Sequence, residues 1–127
     1  PGPTRYGGPC PESEPETAAM TRLCRRHCFC QALAFHSQGK VIYYDFGEHT
    51  PPCSLEMAQR MADAAGYQVA KPEGLAVGGG FKDWFIDCLR RPAFTVEVGM
   101  GENPLPIEQF EPIYQQLEPM LVLALHL

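Results

Sequence analysis

The stretch Ala93-Phe94-Thr95-Val96-Glu97-Val98-Gly99 decides how this chain folds. Six of its seven residues are apolar, small or β-branched, the make-up of a strand covered on both faces, and one acid interrupts them. A carboxylate buried without a partner is costly, so Glu97 is expected near a strand end, facing a cation or water. Gln31-Ala32-Leu33-Ala34-Phe35-His36-Ser37 repeats the pattern as a short apolar run that ends in a histidine. Two buried strands, each closing on one reactive side chain, point to a site at their carboxyl ends.

The totals bound what such a site can serve. A chain of 127 residues with 45% hydrophobic residues is long enough for one domain with a core. A formal charge of -5 and a pI near 5.3 argue against a nucleic-acid partner and against an anionic membrane surface. No apolar run approaches bilayer length, and the closing stretch Met120–Leu127 is far too short. No signal peptide is visible in these residues, which open at Pro1.

Six cysteines invite a disulfide or zinc reading, most of all in Cys24-Arg-Arg-His-Cys-Phe-Cys30. Cys24, His27 and Cys28, however, fall on the last turn of an expected helix, and Cys30 opens the next strand. No second Cys/His pair follows at zinc-ribbon spacing, so free thiols are expected instead. They favour a reducing compartment such as the cytoplasm.

Working outward, residues 1–12 hold four prolines and three glycines and predict an irregular arm. Ser13-Glu14-Pro15-Glu16 reads as a capping box with proline in the first turn. The helix it starts is expected to reach His27, with Ala19, Met20 and Leu23 facing inward and Arg22, Arg25 and Arg26 solvated near its end. A turn at residues 37–40 leads to a strand over Val41–Phe46. Ser54 is expected to cap a helix over Leu55–Ala65 that Gly66 closes. A short strand over Tyr67–Ala70, a glycine-rich loop over Lys71–Gly80 and an amphipathic helix over Phe81–Leu89 follow. After the central strand, Ile107–Leu125 reads as a long closing helix carrying Pro112 and Pro119, either of which can kink it. The alternation predicts an α/β fold: a mixed, largely parallel sheet flanked by helices.

His36 and Glu97 meet if their strands are close. A neutral imidazole beside a carboxylate suits a metal ligand with a general base, or an acid–base pair. It equally suits a hydrogen-bonded core histidine and a salt-bridged glutamate, and composition and spacing alone leave both readings open.

Four separated motifs occur in one order: residues 6–17 (Tyr-Gly-Gly-Pro-Cys-Pro-Glu-Ser-Glu-Pro-Glu-Thr), Ala34-Phe-His-Ser-Gln-Gly39, Gly79-Gly-Phe-Lys-Asp-Trp84 and Phe94-Thr-Val-Glu-Val-Gly99. Together they resemble the zinc metallocarboxypeptidases (the M14 peptidases), from the central portion to the carboxyl end. Arg90-Arg-Pro and Gly99-Met-Gly-Glu-Asn-Pro-Leu-Pro106 further resemble the bacterial branch that cuts γ-D-glutamyl–diaminopimelate bonds of cell-wall peptides. The resemblance implies that residues 1–127 are the carboxyl-terminal part of a single domain with a carboxypeptidase-like α/β/α fold.

By the same resemblance, His36 matches a zinc ligand of the family, and Ser37 beside it lines the cleft. Glu97 matches the carboxylate that activates water and passes its proton to the leaving amine. Zinc acidifies its water to near neutrality, so such a carboxylate can complete the deprotonation. Thr95 and Gly80 match positions lining the pocket for the residue beyond the scissile bond. Lys82 matches the base of that pocket, where a cation would favour a carboxylate-bearing side chain as on diaminopimelate. An exposed helix lysine is the alternative. The Ser37–Gln38 peptide is often cis in this family.

The chain also departs from the pattern. The family's His-x-x-Glu pair of zinc ligands is absent from it, as are the arginines that grip the substrate carboxylate. The mobile-loop tyrosine of the digestive members falls near Leu75. His27, His49 and His126 stand outside any matching context. The expectation is therefore a zinc peptidase site with one protein ligand here and the others upstream of residue 1, inactive as it stands. A peptide substrate, including a cell-wall muropeptide, is the implied partner. An uncovered sheet edge would suit a homodimer or the missing amino-terminal part. Two other readings compete: a non-catalytic peptide-binding module on the same fold, and a free-standing α/β domain in which His36 and Glu97 are structural.

Overall fold

Parity along the strands sets the layers. The computed structural model describes residues 7–74 and 77–127, so the loop position at Leu75 and the motif residue Tyr6 lie outside the described residues. The chain divides into two compact units, residues 1–30 and 31–127.

In the first unit, helix α1 runs Pro15–Arg26, with proline at its start and Arg25 and Arg26 in its last turn. The capping box does not form, and Glu14 stands at the N-cap without a side-chain cap. Ser13 Oγ donates to Glu14 Oε1 (3.0 Å) instead. The inward face is also shifted: Thr21 and Cys24 are buried, whereas Met20 and Leu23 are nearly half exposed and Ala19 is exposed. The preceding arm explains the shift. Glu12 accepts from Thr21 Oγ1 (3.0 Å) and takes Arg25 in a two-pronged ion pair (2.6 and 2.8 Å), which lays the arm on the Thr21 side.

The second unit is a mixed sheet between helices. Its strands are β1 (Ala32–Ser37), β2 (Val41–Tyr43), β3 (Gln68–Ala70) and β4 (Ala93–Val98), in the order β1-β4-β2-β3. β1 runs parallel to β4 and β2 parallel to β3, while β2 and β4 are antiparallel. The turn after β1 therefore does not make a hairpin, because β4 is inserted between β1 and β2.

Helix α2 (Ser54–Ala65) begins one residue earlier than expected. Ser54 is its first residue rather than its cap, and its buried hydroxyl has no hydrogen-bond partner. Gly66 closes the helix in the left-handed region (φ 68°), as expected of glycine. Helix α3 spans Phe81–Leu89, as the sequence predicts. The last helix starts later: a 3-10 turn at Ile107–Gln109 precedes α4 (Phe110–Ala124). Pro112 falls in its first turn, where no hydrogen bond is lost, and Pro119 sits within it. No described helix is long and apolar enough to cross a membrane.

One face of the sheet carries the core. Ile42, Tyr44, Phe94 and Val96 pack with Met57, Met61 and Ala62 of α2 and Leu117, Met120 and Ala124 of α4. The alternate residues of the same strands face α3, whose Phe85 and Ile86 are fully buried. Gly99 ends β4 where no side chain fits. Its φ is 68°, and an added methyl would meet Leu105 Cδ1 at 2.5 Å and Ile113 Cδ1 at 3.0 Å.

Candidate active site

β1 and β4 align so that His36 pairs with Glu97. Partners on neighbouring strands point to the same side, and strands lie about 4.8 Å apart, so the two side chains rise together at the carboxyl ends. The antiparallel pairing of β2 adds Tyr43 opposite Thr95 on the same face. The start of α3 supplies Gly80 and Lys82, and Pro72 follows β3. These seven residues line one cleft of about 200 Å³.

Five of the six sequence-predicted site residues thus meet: His36, Glu97, Thr95, Gly80 and Lys82. Ser37 does not join them. It pairs with Val98, so alternation turns its side chain to the other face, and its carbonyl accepts from Asn103 Nδ2 (3.0 Å). The Ser37–Gln38 peptide is cis.

The two reactive groups differ in setting. His36 is exposed. Glu97 is half-buried, and its Oε2 is shut from solvent with no hydrogen-bond partner. An acceptor left this way costs about 1–3 kcal/mol, so the Glu97 oxygen is open to a proton donor. Of the cation or water expected to face Glu97, no ion pair to a cation is found among the described residues.

Lys82 is not an exposed helix lysine. It keeps only 4% of its surface, and its neighbour Asp83 keeps 3%. The ammonium group donates to the Asp83 carboxylate and to the Asp45 carbonyl (2.7 Å), and lies 5.9 Å from the centre of the Phe46 ring. Asp83 Oδ2 in turn accepts the Gly78 N–H (2.6 Å), tying the glycine-rich loop to α3. Sequence reasoning missed Asp83, because adjacent opposite charges on a short helix read as solvated. It also missed Tyr43, which the alternation Val41, Tyr43 about the buried Ile42 could have revealed.

Elsewhere, His49 contacts Asp87 (3.3 Å) and Arg90 at the surface, and His27 and His126 are exposed. All six cysteines are free. Only Cys24 is buried, and that burial pushes its thiol pKa up. Among the described residues no three His, Cys, Asp or Glu side chains stand together as a metal-holding group. The cleft therefore fits a zinc site in part: His36 can give one nitrogen, and the orphaned Glu97 oxygen can take a proton from water beside it, but further ligands are needed.

Residues 1–119 match the family described as zinc carboxypeptidase (peptidase family M14). The chain belongs to that family. Over all 127 residues it is 44% identical to gamma-D-glutamyl-L-diamino acid endopeptidase 1 of Lysinibacillus sphaericus, covering 32% of that protein. It is also 34% identical over 120 residues, 94% of its length, to the uncharacterized protein YqgT of Bacillus subtilis (strain 168), again covering 32%. The chain spans about a third of the length of these relatives.

Proposed function

We propose that this chain is the carboxyl-terminal part of a single zinc peptidase domain that hydrolyses γ-D-glutamyl–diamino acid bonds in cell-wall peptides. The observation that carries the reading is the register pair His36–Glu97, with its buried unpartnered oxygen, at the mouth of a cleft. The relative named as a gamma-D-glutamyl-L-diamino acid endopeptidase supports the substrate class. The cysteine pattern of the sequence carries the further proposal of a reducing compartment such as the cytoplasm.

His36 would hold zinc together with ligands from chain preceding Pro1. Zinc bound there would supply Lewis acidity, acidifying water and polarising the scissile carbonyl. Glu97 removes the proton from the attacking water and returns it to the leaving amine, the two steps a single carboxylate can serve in turn. Thr95, Tyr43 and Gly80 shape the space for the residue beyond the cleaved bond, and Lys82 offers it a hydrogen-bond donor. β1, the sheet's edge strand, is where the preceding chain would add its own strands.

The test uses a form extended upstream of Pro1, with a γ-D-glutamyl–diaminopimelate peptide as substrate. Turnover should be lost with a chelator and restored by zinc, and Glu97→Gln should lower kcat by about 10²-fold or more. His36→Ala should lower the bound zinc measured by mass spectrometry. The 127-residue chain alone should show no zinc-dependent turnover. The lack of a complete ligand group among the described residues keeps one other reading in view, a peptide-binding module without catalysis. An extended form that binds the peptide but neither zinc nor turns over would establish it.

A further inference from the structure

The cleft has a cation in its wall whose charge is already answered. Lys82 and Asp83 are both almost wholly buried and bonded to each other. Asp83 spends its second oxygen on the Gly78 N–H, and Lys82 spends a second donor on the Asp45 carbonyl. An ammonium has three donors; two are committed here, the Phe46 ring lies beside the head group, and at most one donor is left for the cleft that Lys82 lines.

We infer that this wall reads a hydrogen-bond acceptor rather than a negative charge, and that Asp83 is the positioning residue that makes it so. The inference rests on the cleft being the substrate site proposed above, and it alters the expectation that a free cation selects acidic side chains. A buried pair presents little net field to a third group, since attraction to the ammonium is offset by repulsion from a carboxylate one bond further on. A carboxamide and a carboxylate of the same shape then bind alike through the one free N–H. Asp83 sets this balance twice over: it neutralises Lys82, and by holding Gly78 it fixes the loop that leads into Gly80.

The inference predicts that removing charge from Asp83 sharpens selectivity, whereas a merely structural residue would weaken every ligand equally. The experiment titrates the metal-free 127-residue chain with N-acetyl-glutamate and N-acetyl-glutamine, which differ by one charge at the side chain. Binding is read from the amide resonances of Gly80, Thr95 and Glu97. The unaltered chain should bind the two probes within about threefold of each other, Asp83→Asn should favour the glutamate by about tenfold or more, and Lys82→Gln should favour the glutamine. The double variant Lys82→Gln, Asp83→Asn should return to near-equal binding, and the comparison of the two probes on the unaltered chain does not depend on any variant folding. Three results overturn the inference: a greater than about tenfold preference for glutamate in the unaltered chain, equal weakening of both probes in Asp83→Asn, or no binding of either probe to any form. Because the readout is binding without metal, these failures are distinct from absence of turnover in the extended form.

Discussion

The two faces of the sheet are built from the same strands and behave as different materials. On the face toward α2 and α4, Ile42, Phe94 and Val96 are fully buried among methionines, alanines and Leu117. On the face toward α3, one residue along each strand, stand Tyr43, Thr95 and Glu97, half-buried and polar. A strand turns its side chains by half a revolution at each step, so Val96 and Glu97 are neighbours in sequence and opposites in environment. The core face supplies stability, whereas the cleft face holds polar groups at a cost: the unpartnered carboxylate oxygen of Glu97 is kept there with Val96 and Phe94 anchored on the other side of the sheet.

Changing one residue on each face separates the two roles. Phe94→Ala empties a fully buried aromatic position and should cost about 3–5 kcal/mol of unfolding free energy in urea titrations. Glu97→Gln should leave stability unchanged or raise it by up to about 1 kcal/mol, because a neutral amide in the same place loses less on burial. Similar losses at both positions would mean the faces are not divided as described.

The Lys82–Asp83 pair comes next in size, since the cleft face holds one pair of charges that is almost wholly buried. Lys82→Met leaves the Asp83 carboxylate buried and unmatched and should cost about 3–5 kcal/mol. The double change Lys82→Met, Asp83→Leu should recover about half of that or more, because the two desolvation costs disappear together. A double-mutant cycle in denaturant measures the coupling directly, and additive losses would show that the two side chains act separately.

What the sequence revealed follows the range of the interactions involved. Helix α3 was legible to the residue because its signals are local: an amphipathic run with glycines before it and Arg-Arg-Pro after it. The meeting of His36 and Glu97 was legible because both end apolar runs, and strand ends gather at one edge. The insertion of β4 between β1 and β2 was not legible, since neighbours in a sheet are chosen by contacts distant in sequence. The covered face of α1 was not legible for a related reason. Glu12, outside the capping-box motif, engages Arg25 and Thr21, and that long-range ion pair determines which face of α1 is covered. Ser37 shows the limit of motif reasoning: adjacency to His36 in sequence places it on the opposite face of the sheet.

The smallest effect concerns Asp45 in the segment after β2, whose charge gives a pH response that the core face, with no charged member, lacks. Burial alone would push the Asp45 carboxyl up. The hydrogen bond and charge of Lys71 at 3.0 Å, the Gly47 N–H and the nearby Lys82 outweigh it and hold the group below its ordinary value of 3.8. A carboxyl whose pKa is lower folded than unfolded binds fewer protons in the native state. Its contribution is therefore complete above the ordinary value and is lost as pH falls through the lower, folded one. Lys71 is 64% exposed, so solvent screens the pair and the contribution is held to about 0.5 kcal/mol. Asp45→Asn should accordingly lower stability by about that amount at neutral pH and leave the variant and the unaltered chain equally stable well below pH 3.8. Unfolding curves that stay separated by the same interval at both ends of this range would assign the loss to the Gly47 turn rather than to charge.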